Sequence, residues 1–135
     1  MGVIFDTSVL IALERGAHGI EKLIAGRENE PFGISVVTVS ELLHGVHRAD
    51  TEKRRLTRGA FVEKIIQTFP FYSFDLSAAR IYAKLWANLA KKGLAIGAHD
   101  LMIASTAISL GFSVVTADVR DFGKVKEVSI EKFVV

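Results

Sequence analysis

The sequence contains no cysteine. That excludes a disulfide scaffold, a thiol nucleophile and any zinc or iron–sulfur site built on thiolates. Proline is scarce: only Pro31 and Pro70 occur. No stretch rich in Pro, Gly or Ser divides the chain, and no repeat or low-complexity segment is present. Long apolar runs are also missing. The longest aliphatic stretch, residues 9–13, is far short of the roughly 20 residues that cross a bilayer. No basic segment precedes the apolar residues 1–5, and an Asp follows at once, so a secretory signal is not expected. An excess of one charge sign is nearly absent, with 17 Lys and Arg against 15 Asp and Glu for a net +2. As a sum, that value names no partner. What is present is a globular composition, 50% hydrophobic and 24% charged. The 135 residues fit a single domain, 1–135, large enough to bury about two-thirds of its unfolded surface. The expected setting is soluble and cytoplasmic.

Residues 2–5 form a short apolar run ending in Asp6 and predict a buried strand. Thr7 or Ser8 can cap a helix with Val9, Leu10 and Leu13 as its apolar positions. Ile20, Leu23 and Ile24 mark a second, short helix. After Pro31, residues 32–37 read as a β-branched strand, and Thr38 or Ser40 can cap the helix that carries Val39, Leu42, Leu43 and Val46. Residues 51–68 have a longer helical pattern, basic at first and apolar later, stopped by Pro70. Residues 71–74 predict a short strand, after which Asp75 or Ser77 caps a helix ending at Lys91-Lys92-Gly93. His99 or Asp100 opens a helix that runs to Leu110, and residues 112–116 form another buried strand. Residues 125–128 and a short tail follow. Strands alternating with helices of this length argue an α/β fold: a three-layer α/β/α sandwich around a mostly parallel sheet of four or five strands. A closed eight-stranded α/β barrel needs about 250 residues and is excluded.

In open parallel sheets, sites form beyond the carboxyl ends of the strands. Asp6 and Asp118 follow two of the predicted strands, and Glu41 and Asp100 lie in first turns of predicted helices. Asp121 is three residues beyond Asp118, close enough to share a site. Any one of these acids is adequately explained as a helix cap or dipole partner. Four or five on one sheet edge are not, because crowded carboxylates repel and raise one another's pKa. A cation relieves that repulsion, and oxygen ligands without thiolates point to Mg2+ or Mn2+. Such a cluster can support metal-assisted phosphodiester hydrolysis. No nucleophile elbow, phosphate-binding P-loop or dinucleotide fingerprint competes with it.

Four segments then become familiar: Phe5-Asp6-Thr7-Ser8, Ser40-Glu41-Leu42-Leu43-His44-Gly45, Ala98-His99-Asp100-Leu101-Met102-Ile103-Ala104 and Thr116-Ala117-Asp118-Val119-Arg120-Asp121-Phe122. In order and spacing, the set resembles the four motifs of PIN-domain nucleases, and most closely the VapC toxins of VapBC toxin–antitoxin modules. The resemblance covers nearly the whole chain. It implies a Mg2+- or Mn2+-dependent endoribonuclease that leaves a 5′-phosphate and a 3′-hydroxyl. It also implies a homodimer and a VapB antitoxin that blocks the acidic cleft. Asp6, Glu41, Asp100 and Asp118 would be the acidic quartet. Many relatives carry Asn at the position of Asp118 and use the acid of the following Asp-Phe pair, so Asp118 and Asp121 both remain candidates.

Ser8 and Thr116 resemble hydroxyl positions beside such a site, where each could hold a carboxylate rotamer. As plain structure, Ser8 is a helix cap and Thr116 a strand end. Glu41-x-x-His44-x-x-His47 offers metal-ligand spacing only once, whereas bundle di-iron sites use Glu-x-x-His twice. His44 and His47 are therefore read as structural or surface residues, and His99 as a cap or rim residue. Lys53, Arg54, Arg55 and Arg58 are the candidate RNA footprint, with Arg forks suited to phosphate oxygens. Trp86, Phe69 and Phe71 are read as core or dimer interface.

Three other readings fit less well. A receiver-like regulatory module needs a mid-chain phosphoacceptor Asp and a late Lys at a strand end. Asp75 is the only such Asp and opens a helix, and no Lys ends strand 112–116. A PIN fold serving mainly as a binding partner, with little cleavage, is at odds with the intact acidic set. Flap-type DNA nucleases are much longer. Setting aside the five acids of the expected cleft leaves ten acids against seventeen cations, a surplus of seven. The near-neutral total would then conceal an acidic pocket on a basic body.

Overall fold

The apolar run that opens the chain forms strand β1 (Val3–Phe5), buried at every residue. The computed structural model describes residues 2–16 and 20–134. In it, β1 lies between β2 (Phe32–Ser35) and β4 (Ser113–Thr116). Strand β3 (Phe71–Tyr72) lies beyond β2, and β5 (Ile130–Lys132) lies beyond β4. All the pairings are parallel, so the sheet is uniformly rather than mostly parallel. Parallel strands covered on both faces need no polar alternation, which explains the continuous apolar runs of β1 and β4.

Successive strand residues point to opposite faces and separate two cores. Val3, Phe5 and Val115 pack with helices α1 (Thr7–Glu14), α2 (Ile20–Ile24), α3 (Val36–His47) and α4 (Glu52–Thr68). Ile4 and Val114 face the other layer, built by α5 (Leu76–Lys91), α6 (Ala98–Leu110) and the short α7 (Val119–Phe122). The three layers expected from the alternating pattern are thus present. Phe5, Phe32 and Phe69 form an aromatic triangle in the first core, with ring centroids 5.7–6.3 Å apart. Phe69 is buried, whereas Phe71 and Trp86 are 53% and 62% exposed.

From β1 the chain steps outward through β2 to β3, then returns to the other side of β1 for β4 and β5. The strand order therefore reverses between β1 and β4. A crevice opens beyond the carboxyl ends of strands at such a reversal.

Several boundaries differ from the expected ones, each for a local reason. Asp6, rather than Thr7 or Ser8, caps α1. The valines at 36 and 37 read as strand, but Ser35 ends β2 by accepting the Val37 N–H at 3.0 Å, so α3 starts before Thr38 and Ser40. Helix α6 begins at Ala98 behind Gly97, which offers no side-chain cap, and not at His99 or Asp100. Strand β3 has two residues instead of four. The last strand lies past residues 125–128, whose Val125 and Val128 are buried core side chains. Gly111 ends α6 with φ +70°, as the sequence signal implies.

Gly33 in β2 has no room for a side chain. A Cβ there would run into the Pro70 carbonyl oxygen and lie 2.7 Å from Tyr72 Cε2. Gly33→Ala is expected to destabilise the chain by about 1–3 kcal/mol, as overpacking does. Gly59→Ala serves as its control, since a Cβ there meets only Val46 Cγ1, at 3.8 Å. That variant should be neutral or slightly stabilising in a helix interior. Urea midpoints that fail to separate the two variants would contradict the tight β2–β3 packing.

Candidate active site

Asp6 follows β1 at the reversal point and is 3% exposed. Its Oδ2 accepts the Ser8 hydroxyl at 2.7 Å, the Thr116 hydroxyl at 2.9 Å and, more weakly, the Ser8 N–H at 3.4 Å. Both hydroxyl protons are thereby aimed at one oxygen. The hydroxyl oxygens in turn accept backbone donors from the loop after β4: Ala117 N–H to Ser8 at 3.1 Å and Asp118 N–H to Thr116 at 2.8 Å. Ser8 is therefore not the helix cap, and Thr116 is more than a strand end. Together they stitch the end of β1 to the end of β4 through a single carboxylate. The other oxygen, Asp6 Oδ1, is buried and has no hydrogen-bond partner among the described residues. An orphaned carboxylate oxygen is costly unless a cation or donor meets it.

The remaining acids converge on the same crevice. Asp100, Asp118 and Asp121 each present an oxygen such that all three lie within 4.8 Å of one another. Burial, and after it the charges of Asp6, Glu41, Asp118 and Asp121, push the Asp100 carboxyl up to about 6. All five sequence candidates therefore meet electrostatically at Asp100, which stands in the first turn of α6. Glu41 is fixed from α1: the Thr7 hydroxyl lies 2.7 Å from Glu41 Oε1 and 2.9 Å from the buried Thr38 hydroxyl. On the rim, His99 Nδ1 stands 3.4 Å from Glu41 Oε2.

Asp118 and Asp121 differ in their surroundings. Asp118 caps α7 by accepting the Asp121 N–H at 3.3 Å. Asp121 already has a cation, because Lys124 Nζ lies 3.0 Å from its Oδ1 and also donates to the Ala95 carbonyl at 2.8 Å. The Lys124 ammonium holds the Asp121 carboxyl below the usual carboxylate range. Lys124 was not singled out from the sequence, and Thr7 was read only as a helix cap and not as the partner of Glu41. Lys124 lies three residues after Asp121 on a short helical turn, and that spacing is its only sequence signal.

The expected RNA footprint is partly engaged elsewhere. Arg54 makes a bidentate pair with Asp50 at 2.8 Å, Arg55 pairs with Glu52 at 3.0 Å, and Arg58 donates to the Gly45 carbonyl at 3.3 Å. His44 shares a groove wall with Glu41, but neither His44 nor His47 joins the group of acids able to hold an ion among the described residues. Asp75, the phosphoacceptor candidate of the receiver reading, caps α5 by accepting the Ala78 N–H at 2.9 Å. No helix among the described residues is long and apolar enough to cross a membrane.

This arrangement matches known proteins in both sequence and shape. The family model of the PIN domain matches residues 3–128. Ribonuclease VapC1 of Rickettsia felis is 35% identical over 133 residues, spanning 96% of this chain and 95% of its own length. Ribonuclease VapC5 of Mycobacterium tuberculosis is 38% identical over 117 residues, spanning 85% of this chain and 82% of its own. Among solved structures, DNA-bound VapBC from Salmonella typhimurium superposes with a TM-score of 0.88 at 28% identity, over 98% of both chains.

The raised Asp100 carboxyl gives a pH test. The folded chain binds the Asp100 proton more tightly than the unfolded chain, whose carboxyl titrates near 3.8. Stability without metal therefore falls as pH rises from 3.8 to about 6 and stays lower above that range. Asp100→Asn removes this loss. In EDTA the variant should melt above the wild type at neutral pH, with the difference closing below pH 3.8. A variant no more stable than wild type at neutral pH would contradict the repulsion.

Proposed function

The chain belongs to the PIN domain family and, within it, to the VapC ribonucleases, and from that premise we propose that it is a Mg2+- or Mn2+-dependent endoribonuclease, the toxin of a VapBC-type pair. The observation that carries the metal dependence is Asp6 Oδ1, buried without a partner beside a crowd of carboxylates. A hard divalent cation suits this all-oxygen donor set. Asp6, Glu41, Asp100 and Asp118 would hold it, with Asp121 beside them. When bound, the ion lowers the pKa of a water and stabilises charge on the phosphate oxygens.

The residues of the chain divide the remaining work. Ser8 and Thr116 hold the Asp6 carboxylate through Oδ2, and Oδ1 has no partner among the described residues. Thr7 holds Glu41 in the same way. Lys124 balances Asp121, leaving Asp118 as the acid of that pair with no cation paired to it among the described residues. His99, on the exposed rim, borders the path by which a substrate phosphate reaches Glu41. The substrate we assign is single-stranded or loop RNA, whose unstacked bases and phosphates are accessible. Cleavage leaves a 5′-phosphate and a 3′-hydroxyl. Arg54, Arg55 and Arg58 would contribute phosphate contacts. The Asp50 and Glu52 pairs are solvent-exposed, and such pairs contribute little and exchange readily.

The Salmonella relative is a complex of VapB with VapC. By the same premise, this chain would act in the cytoplasm as a homodimer and be silenced by a VapB-type antitoxin.

Asp6→Asn should abolish Mg2+-dependent cleavage of total cellular RNA and keep the far-UV spectrum of the wild type. Thr116→Val, which removes the hydrogen bonds to Asp6 and from the Asp118 N–H but no ligand, should lower activity or metal affinity by about 10–100-fold. Both are read by gel-based cleavage with Mg2+ or EDTA. Full activity in Asp6→Asn would overturn the metal mechanism.

A further inference from the structure

A groove leaves the acidic crevice beside Glu41 and follows the seam of α1, α3 and α4. Its first section, about 590 Å³, is bounded by Thr7, Glu41, Gly45 and Arg48. The middle section, about 360 Å³, shares Glu41, Gly45 and Arg48 and adds Glu14, Arg15 and Arg58. The last section, about 820 Å³, shares Glu14, Arg15 and Arg58 and opens beside Lys53 and Arg54 at the start of α4. The shared walls place the three sections side by side along this seam.

The charges along this path are ordered. Glu41 stands at the crevice end, and its charge reaches the Asp100 carboxyl. Beyond Glu41 the walls carry Arg48, Arg15, Arg58, Lys53 and Arg54 against a single acid, Glu14. Arg54 is tied to Asp50, and Arg58 reaches the Gly45 carbonyl. Arg15, Arg48 and Lys53 are exposed, and their side chains have no hydrogen bond or ion pair among the described residues. Three cations from three separate helix ends thus project into one groove without partners.

We propose that Arg48, Arg15, Arg58 and Lys53 form a phosphate track. It would hold the backbone of single-stranded RNA along α3 and α4 and deliver one phosphodiester to the carboxylates at its end. This rests on the ribonuclease reading above and extends it to a path and to residues that the sequence did not mark, Arg15 and Arg48. RNA fits the charge order better than a protein segment does. Its charge is uniform along the chain, so every cation on the path meets an anion, and only the link at the crevice faces the acids. A peptide matched to the same path would have to be acidic along most of its length and basic at one end. Arg48 and Arg15 offer planar forks to phosphate oxygens, and such contacts set register and affinity rather than base choice.

The test is fluorescence anisotropy with a labelled single-stranded RNA oligonucleotide over a range of salt, in EDTA. Binding is then read without metal or cleavage, and its outcome is separate from that of Asp6→Asn. Each of Arg15→Ala, Arg48→Ala and Lys53→Ala should reduce the steepness of log Kobs against log salt by about 0.7, and the triple variant by about 2. Arg48→Lys should retain the slope that Arg48→Ala loses. Lys91→Ala, at the end of α5 in the other helical layer, should leave it unchanged. All three substituted side chains are exposed, so unchanged melting temperatures are expected. A triple variant with the wild-type slope overturns the track, as does a control that lowers the slope equally. A triple variant that binds RNA normally but no longer holds a co-expressed VapB-type antitoxin also overturns it and assigns the groove to the protein partner.

Discussion

The site depends on one buried carboxylate, Asp6, held at the seam where two neighbouring strands send their connections in opposite directions. Ser8 and Thr116 both donate to the same Asp6 oxygen and both accept N–H groups from the loop after β4. A residue from the start of the chain is thereby locked to a loop more than a hundred residues later. The hydrogen bonds leave the second oxygen buried and unanswered. That orphan is the local cost of bringing a carboxylate to the bottom of the crevice, and the neighbouring acids raise it by repulsion. Asp100 records both effects, its carboxyl pushed up to about 6 by burial first and by the neighbouring acids after it. Fold stability and site chemistry thus oppose each other here, as they do where a site is built for a ligand that the chain alone does not supply.

Charge is partitioned on a larger scale as well. The net +2 is the residue of an acidic crevice and a basic remainder. The structure locates part of that remainder on α1, α3 and α4, along the groove that begins at Glu41. A pocket that attracts cations and a groove that attracts phosphates can coexist only if they are spatially separated yet continuous. Lys124 works at shorter range. It neutralises Asp121 within the cluster and ties it to the Ala95 carbonyl, just ahead of the helix that carries Asp100.

Much of the fold was legible because its signals are local. The buried runs of β1 and β4, the stop at Pro70 and the glycine closing α6 all mark elements at nearly their true positions. The convergence of the acids was legible by a different route, since strand-end placement constrains space even when sequence separation is large. Boundaries failed where one residue served two purposes. Ser35 ends a strand and caps a helix, and two β-branched valines after it continued the strand pattern on paper. Asp6 likewise caps α1 while accepting the Ser8 and Thr116 hydroxyls that join β1 to β4. The order of strands and the pairing state of the arginines were not legible. Arg54 and Arg55 look free in sequence, yet helical spacing returns them to Asp50 and Glu52. Arg15 and Arg48 look incidental, yet tertiary packing places them on one wall.

As proposed above, the Asp6 oxygen without a partner among the described residues and the neighbouring carboxylates form a seat for a divalent cation. The direct measurement is an anomalous difference map from crystals of the chain soaked in Mn2+. A peak is expected in contact with Asp6 and Asp100, beside the Ser8–Thr116 stitch. A map with no peak there at saturating Mn2+, or with Mn2+ only on the exposed histidines of α3, would contradict it.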